Sequence, residues 1–143
     1  MGRMPLFTQD QKARLLQNGA DPLDNKDYPP VVKLFTPDAG ATWLISEIDP
    51  AHPDIAFGLC DLGVGCPELG AVSISELESV RGCFGLTVER DKGFEGTYPL
   101  TVYAEAASVH GRITTSETAL EKAAWKLGKG VAVEVEREDG MER

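Results

Sequence analysis

The chain has 143 residues, 42% of them hydrophobic and 26% charged, with 14 Lys+Arg against 23 Asp+Glu for a formal net charge of −9. This composition excludes a collagen, a coiled coil and a fully disordered chain, and the length suits one domain whose core needs no metal or disulfide staple. The acidic balance makes direct nucleic-acid binding an unfavoured reading, because neutralising phosphates takes clustered Lys and Arg; Lys122, Lys126 and Lys129 come nearest to a cluster, and Glu117 and Glu121 lie beside them.

No run of about 18 apolar residues is present, so no membrane-spanning segment is expected. Met1-Gly2-Arg3-Met4-Pro5-Leu6 lacks the apolar centre of a signal peptide. Three cysteines, Cys60, Cys66 and Cys83, are an odd number and argue against a secreted disulfide framework. The expected setting is the cytoplasm, with reduced thiols and no membrane partner.

Thr8-Gln9-Asp10-Gln11 fits a capping box and opens a helix predicted to run to about Gln17, with Asn18-Gly19 as its C-cap signal. After a proline-rich loop, Val31–Phe35 and Ala41–Ile48 read as strands joined by a Pro37-Asp38-Ala39-Gly40 turn, the pattern of an antiparallel hairpin. Ile55–Leu62 is a third strand, with Ile55, Phe57, Leu59 and Asp61 alternating onto one face. The segment 63–70, rich in Gly, is expected to be irregular, with a short fourth strand over Ala71–Ile74. Ser75-Glu76-Leu77-Glu78 predicts a second capping box and a short helix ending near Arg81-Gly82. Leu86–Arg90 is a fifth strand. A helix runs from about Val102 to His110, closed by Gly111, and another from Ser116 to Leu127 with Leu120, Ala123, Ala124 and Leu127 at helical spacing. Val131–Val135 reads as an edge strand, and Glu136–Arg143 as a charged tail. The expected fold class is α+β: a single domain with a four- to five-stranded, mostly antiparallel sheet and flanking helices. Residues 1–113 form the core domain, and residues 114–143 a C-terminal helical extension with its tail.

Charge is distributed unevenly. Residues 34–80 hold no Lys or Arg, yet carry Asp38, Glu47, Asp49, Asp54, Asp61, Glu68, Glu76 and Glu78. Nearly all the net charge therefore belongs to the predicted central sheet and its loops. If those turns share one edge of the sheet, they form an anionic rim that attracts basic partners and speeds their association. Divalent metal binding and a merely solvated surface are the competing readings.

Chemical motifs are sparse. Cys60-x5-Cys66 with His52 upstream and His110 downstream is off the paired spacing of structural zinc sites. Cys66 lies in a Gly-rich turn, yet no base is placed beside it by the sequence. Gly63-Val64-Gly65-Cys66-Pro67-Glu68 lacks the Lys-Ser/Thr of a phosphate loop and the third glycine of a dinucleotide fingerprint. Trp43, with Phe35 and Phe57 on neighbouring strands, suits either a core or an aromatic docking patch. Trp125, on the last helix, is expected to dock on the sheet, with self-association as the competing reading.

The stretches Val31–Leu44 (VVKLFTPDAGATWL), Pro53–Gly63 (PDIAFGLCDLG), Pro67-Glu68-Leu69-Gly70 and Ser73-Ile74-Ser75-Glu76-Leu77 together resemble the uncharacterised bacterial family of domain of unknown function 2958. The resemblance covers roughly Leu6 to Ile113, and Cys66 departs from the family pattern, in which a bulky apolar residue precedes Pro-Glu-Leu-Gly. It implies a small single-domain protein of plasmids, phages and other mobile elements, and it implies no activity.

The leading expectation is a non-enzymatic accessory protein of a mobile element. It would inhibit or modulate a basic, nucleic-acid-binding host protein, such as a restriction or CRISPR effector, through Asp38, Trp43, Asp49, Asp54, Asp61 and Glu68. No residue is assigned a catalytic or metal-binding role, and no cofactor is expected. The alternative is an enzyme: a metal-dependent nuclease or phosphodiesterase built on the central carboxylates, or a hydrolase using Cys66.

Overall fold

The structure, a computed structural model, describes residues 5–130. Its elements run α1 (Gln9–Ala20), β1 (Val32–Phe35), β2 (Thr42–Ile48), β3 (Ile55–Asp61), β4 (Glu68–Ser73), α2 (Ile74–Ser79), β5 (Glu89–Arg90), α3 (Leu100–His110) and α4 (Glu117–Leu127). The five strands form one antiparallel sheet in the order β4-β3-β2-β1-β5, which is the expected α+β architecture. No helix among the described residues is long and apolar enough to cross a membrane.

The middle strand explains the layering. Trp43, Leu44 and Ile45 are consecutive on β2 and all buried. Successive strand residues point to opposite faces, so both faces must be covered. Trp43 and Ile45 join a cluster with Leu6, Leu15, Val32, Leu34, Ile48 and Leu77, under α1 and α2. Leu44 joins Leu59 and the inward residues of α3 and α4 in a second cluster on the opposite face. α4 contributes Ala119, Leu120, Ala123 and Ala124 to that second cluster, so the helical extension shares a core with the sheet. The segment 131–143, including the strand expected over Val131–Val135, lies outside the described residues.

A bulge sets the far end of β2. The pairing with β3 shifts register between Ile45 and Glu47, which leaves Ser46 as the extra residue. Uninterrupted alternation would aim Glu47 into the α1 core and Ile48 away from it. The bulge reverses this: Ile48 is buried under α1, and Glu47 faces Lys26 at 3.6 Å. Ser46 turns its carbonyl to Asn18, whose buried Nδ2 donates to it at 2.9 Å.

This contact also corrects the end of α1. The helix continues through Asn18-Gly19 to Ala20, because Asn18 is spent on the bulge and Gly19 lets the helix backbone press against β2. A Cβ at Gly19 would sit 1.8 Å from the Ile48 carbonyl oxygen. Three other boundaries differ. β4 begins at Glu68, with Leu69 opposite Leu59 and Gly70 opposite Gly58, so the irregular segment ends at Pro67 rather than after Gly70. α2 starts two residues early, capped by the Ser73 hydroxyl accepting from the Glu76 amide at 3.2 Å. β5 is reduced to two residues beside β1.

Gly19→Ala is expected to lower stability by about 1–3 kcal/mol, the usual range for overpacking, since the obstacle is backbone. Gly70→Ala, with nothing within 4 Å of the new methyl, is expected to change it by less than about 0.5 kcal/mol. Urea unfolding of the two variants beside the parent chain measures the contrast.

Candidate protein-docking surface

Sheet topology decides where the acidic residues go. One end of the sheet holds the β1–β2 turn, the end of β3 and the start of β4, and so collects Asp38, Asp61 and Glu68. The opposite end holds the β2–β3 turn and the β4–α2 junction, and collects Asp49, Asp54 and Glu76. Six residue steps of β2 separate the two ends by about 20 Å. The single rim expected from the sequence is not formed; the carboxylates make two groups.

Within each group most of the carboxylates hold backbone. Asp61 is 3% exposed, its Oδ1 accepting from the Gly63 amide and its Oδ2 from the Ile113 amide, both at 2.9 Å. It ties the end of β3 to the α3–α4 connection and presents nothing outward. Asp38 Oδ2 accepts from the Phe84 amide at 2.7 Å and the Leu86 amide at 3.2 Å, and the Cys83 thiol donates to the Asp38 carbonyl at 2.8 Å. The 82–87 loop is thereby fastened to the hairpin turn. A side chain at Gly82 would collide with Asp38 Oδ1, which is buried and has no hydrogen-bond partner among the described residues.

Asp54 closes the other end. It accepts from the Ser73 hydroxyl at 2.7 Å, the Ser75 amide at 2.9 Å and the Ser75 hydroxyl at 3.0 Å. Ser75, expected as the helix cap, is thus bound to Asp54, and Ser73 takes the cap. The Ser73 hydroxyl and then the Ser75 amide hold the Asp54 carboxyl below the usual carboxylate range. Asp49 accepts from the Ala51 amide at 2.9 Å and pairs with His52 at 3.2 Å, and these two contacts, in that order, lower its carboxyl in the same way. Both side chains stay exposed, so each is an anion fixed on a rigid turn. Glu68 is exposed at the head of β4.

Trp43 is 5% exposed and belongs to the core, because its place on β2 faces α1; it cannot serve as a docking aromatic. Trp125 differs in the opposite sense. α4 turns Leu120, Ala123 and Ala124 inward, which leaves Trp125 on the outer side, 88% exposed and not docked on the sheet.

What the sequence reading missed is the uncovered margin of the sheet. Alternation does place Ile55, Phe57, Leu59 and Asp61 on one face, but only Leu59 and Asp61 of these are buried, Leu59 among α3 and α4 and Asp61 against the α3–α4 connection; Ile55 and Phe57 are 38% and 37% exposed. Across the ladder Leu69 stands opposite Leu59 and is 42% exposed, and exposed Ala71 stands opposite Phe57. The signal was the run Glu68–Ser73 itself, which alternates and contains neither Pro nor a cation.

Two further features lie elsewhere. Adjoining depressions of about 350 and 330 Å3 share Lys33 and Asp91, an ion pair at 3.6 Å, on the part of β1 that α3 and α4 leave open. Gly111 approaches the Gly65 carbonyl, so His110 and Cys66 occupy the same end of the sheet, while His52 is at the other. Burial, and secondarily Glu68, pushes the Cys60 thiol up. Among the described residues no group of three or more His, Cys, Asp or Glu is arranged to hold a metal.

Asp61→Ala is expected to cost about 2–4 kcal/mol, since two amides lose their acceptor in the interior; chemical denaturation at pH 7 measures it. For Asp54 the folded value is depressed, so its stabilisation is present above the unfolded value of about 3.9 and lost as pH falls through the lower folded value. The melting temperature of the parent chain is expected to exceed that of Asp54→Asn at pH 7, with the gap closing below about pH 4.

No curated protein and no solved structure matches the chain. The model of the family described as protein of unknown function (DUF2958) matches residues 6–114, from the start of the first core cluster through the α3–α4 connection that Asp61 holds. The chain belongs to that family.

Proposed function

We propose that this chain is a non-enzymatic accessory protein of a mobile element, working in the cytoplasm, that inhibits or modulates a basic, nucleic-acid-handling host protein such as a restriction or CRISPR effector. The observation that carries the reading is the pair Asp49 and Asp54: exposed anions, fixed by backbone and hydroxyl donors, in a stretch of 47 residues without a Lys or Arg. Fixed charge of one sign steers an oppositely charged partner and costs little ordering on contact. Glu76 extends this group on α2, and Glu68 stands apart at the other end of the sheet.

The metal-dependent alternative draws less support. It needs Asp38, Asp61 and Glu68 to converge with free lone pairs, whereas Asp38 and Asp61 accept backbone amides from loops they fasten. The hydrolase alternative needs an activated Cys66, and no contact to a base supports it.

Affinity capture from a host lysate at low salt is expected to retain a basic, nucleic-acid-binding protein that 0.5 M NaCl or an excess of duplex DNA releases. The triple variant Asp49→Asn, Glu68→Gln, Glu76→Gln spares Asp54 and the buried anchors, and is expected to bind about tenfold more weakly, from several exposed pairs at roughly 0.5 kcal/mol each. Capture that persists undiminished at 0.5 M salt, beyond strong screening, sinks the electrostatic account.

A further inference from the structure

We infer that β4 is an open docking edge, and that it takes an extended segment of a partner in which apolar and basic residues alternate, added as a sixth strand. This rests on the reading of an acidic chain that docks a basic partner, and it names the surface and the mode.

β4 ends the sheet, pairing with β3 on one side only. Its backbone therefore offers a row of outward N–H and C=O groups that among the described residues bond to nothing else. Soluble proteins usually guard such an edge with Lys, Pro, a bulge or a covering element. β4, Glu-Leu-Gly-Ala-Val-Ser, has no Lys and no Pro, and its pairing to β3 runs from Cys60↔Glu68 to Ile55↔Ser73 without a register shift. Six residues are enough to template a short added strand, the mode in which main-chain bonds supply affinity and alternate side chains supply selection.

The surroundings of the edge state what the added strand must carry. On the α3 side, Leu69 and Ala71 on β4 continue into Phe57 and Ile55 on β3, an apolar strip that stays partly exposed beside α3. Alternate apolar side chains of the newcomer would complete that strip. On the α1 side, a Cβ at Gly70 would meet nothing within 4 Å, so there is room for long side chains beside the strand. Glu68 opens β4, and Asp54, bound to Ser73 and Ser75, stands at its close with Glu76 beyond. The edge is bracketed by carboxylates at both ends, and neither β3 nor α2 supplies a cation. A second copy would bring the same acidic brackets against these, which like charge disfavours; a basic segment removes that cost.

The test uses the full-length chain and three synthetic eight-residue peptides: alternating Val and Lys, alternating Val and Glu, and the Val-Lys peptide with both central valines replaced by proline. Amide hydrogen exchange is followed across residues 49–76, alone and with each peptide. The Val-Lys peptide is expected to slow exchange of the outward amides of 68–73 at least tenfold, and the proline and Val-Glu peptides to leave them unchanged. Leu69→Lys places a guarding cation on a residue already 42% exposed; it is expected to keep the parent melting temperature and to weaken Val-Lys binding at least tenfold.

Equal protection by the proline peptide overturns strand addition. Protection of the outward amides of 68–73 in the chain alone, beyond those that pair with β3, also overturns the inference: independent of concentration, the chain's own segment covers the edge; dependent on it, a second copy does. Salt-sensitive binding of the Val-Lys peptide that protects only 49–54 removes the edge while leaving the acidic-docking reading intact. Failure of any basic peptide to bind at low salt removes both.

Discussion

A strand that buries both of its faces demands a layer on each side of it, and β2 is that strand. Trp43 and Ile45 need α1, and Leu44 needs α3. Burying side chains of this size is worth about 1.5–3 kcal/mol each, so the two helical layers hang on a few residues. The bulge at Ser46 extends the arrangement to the end of the strand, where it delivers Ile48 to α1 and accepts Asn18. Cover concentrated on the middle of a five-stranded sheet leaves its margins thin. β5 is two residues long, and β4 keeps one edge and part of one face open.

Carboxylates do structural work before they do anything else here. Asp38 and Asp54 each accept two or more donors from segments far away in sequence, Asp61 accepts the distant Ile113 amide beside the local Gly63 amide, and each closes a loop against the sheet. A carboxylate suits this role because it accepts several backbone amides at once, and charge-assisted bonds are the stronger ones. A loop anchored by Asp needs no Lys or Arg partner, so anchoring of this kind adds negative charge without balancing it. Part of the chain's acidity is therefore a by-product of how its loops are held, and it is exposed acids such as Asp49, Asp54, Glu68 and Glu76 that project a field outward.

Periodicity made the central elements legible. The hairpin of β1 and β2, the third strand, the two C-terminal helices and the Gly111 stop follow from alternation, helical spacing and turn residues, which are local properties. The differences arise where a long-range contact outweighs a local signal. Asn18-Gly19 reads as a helix end until the bulge in β2 gives Asn18 an acceptor and forces Gly19 against Ile48. Ser75 reads as a cap until Asp54 takes it. Glu68-Leu69-Gly70 reads as loop because of its glycine, although β3 supplies a partner for every residue. Asp61 and Trp43 were singled out by type, and burial, which depends on the layer above them, reassigns both.

The acid-rich stretch and the open edge are two views of one arrangement. β3, β4 and α2 all fall within the 47 residues that lack a cation, so the strands and helix that build the open edge contribute no Lys or Arg of their own. An unguarded edge in a protein of near-zero charge invites association with any exposed strand, its own copies included. Carboxylates at both ends of β4 change that balance, because they repel identical chains while leaving the backbone ladder available to a strand of opposite charge. Negative charge can therefore replace the usual lysine as a guard against self-pairing, and unlike lysine it selects for a basic partner instead of against one.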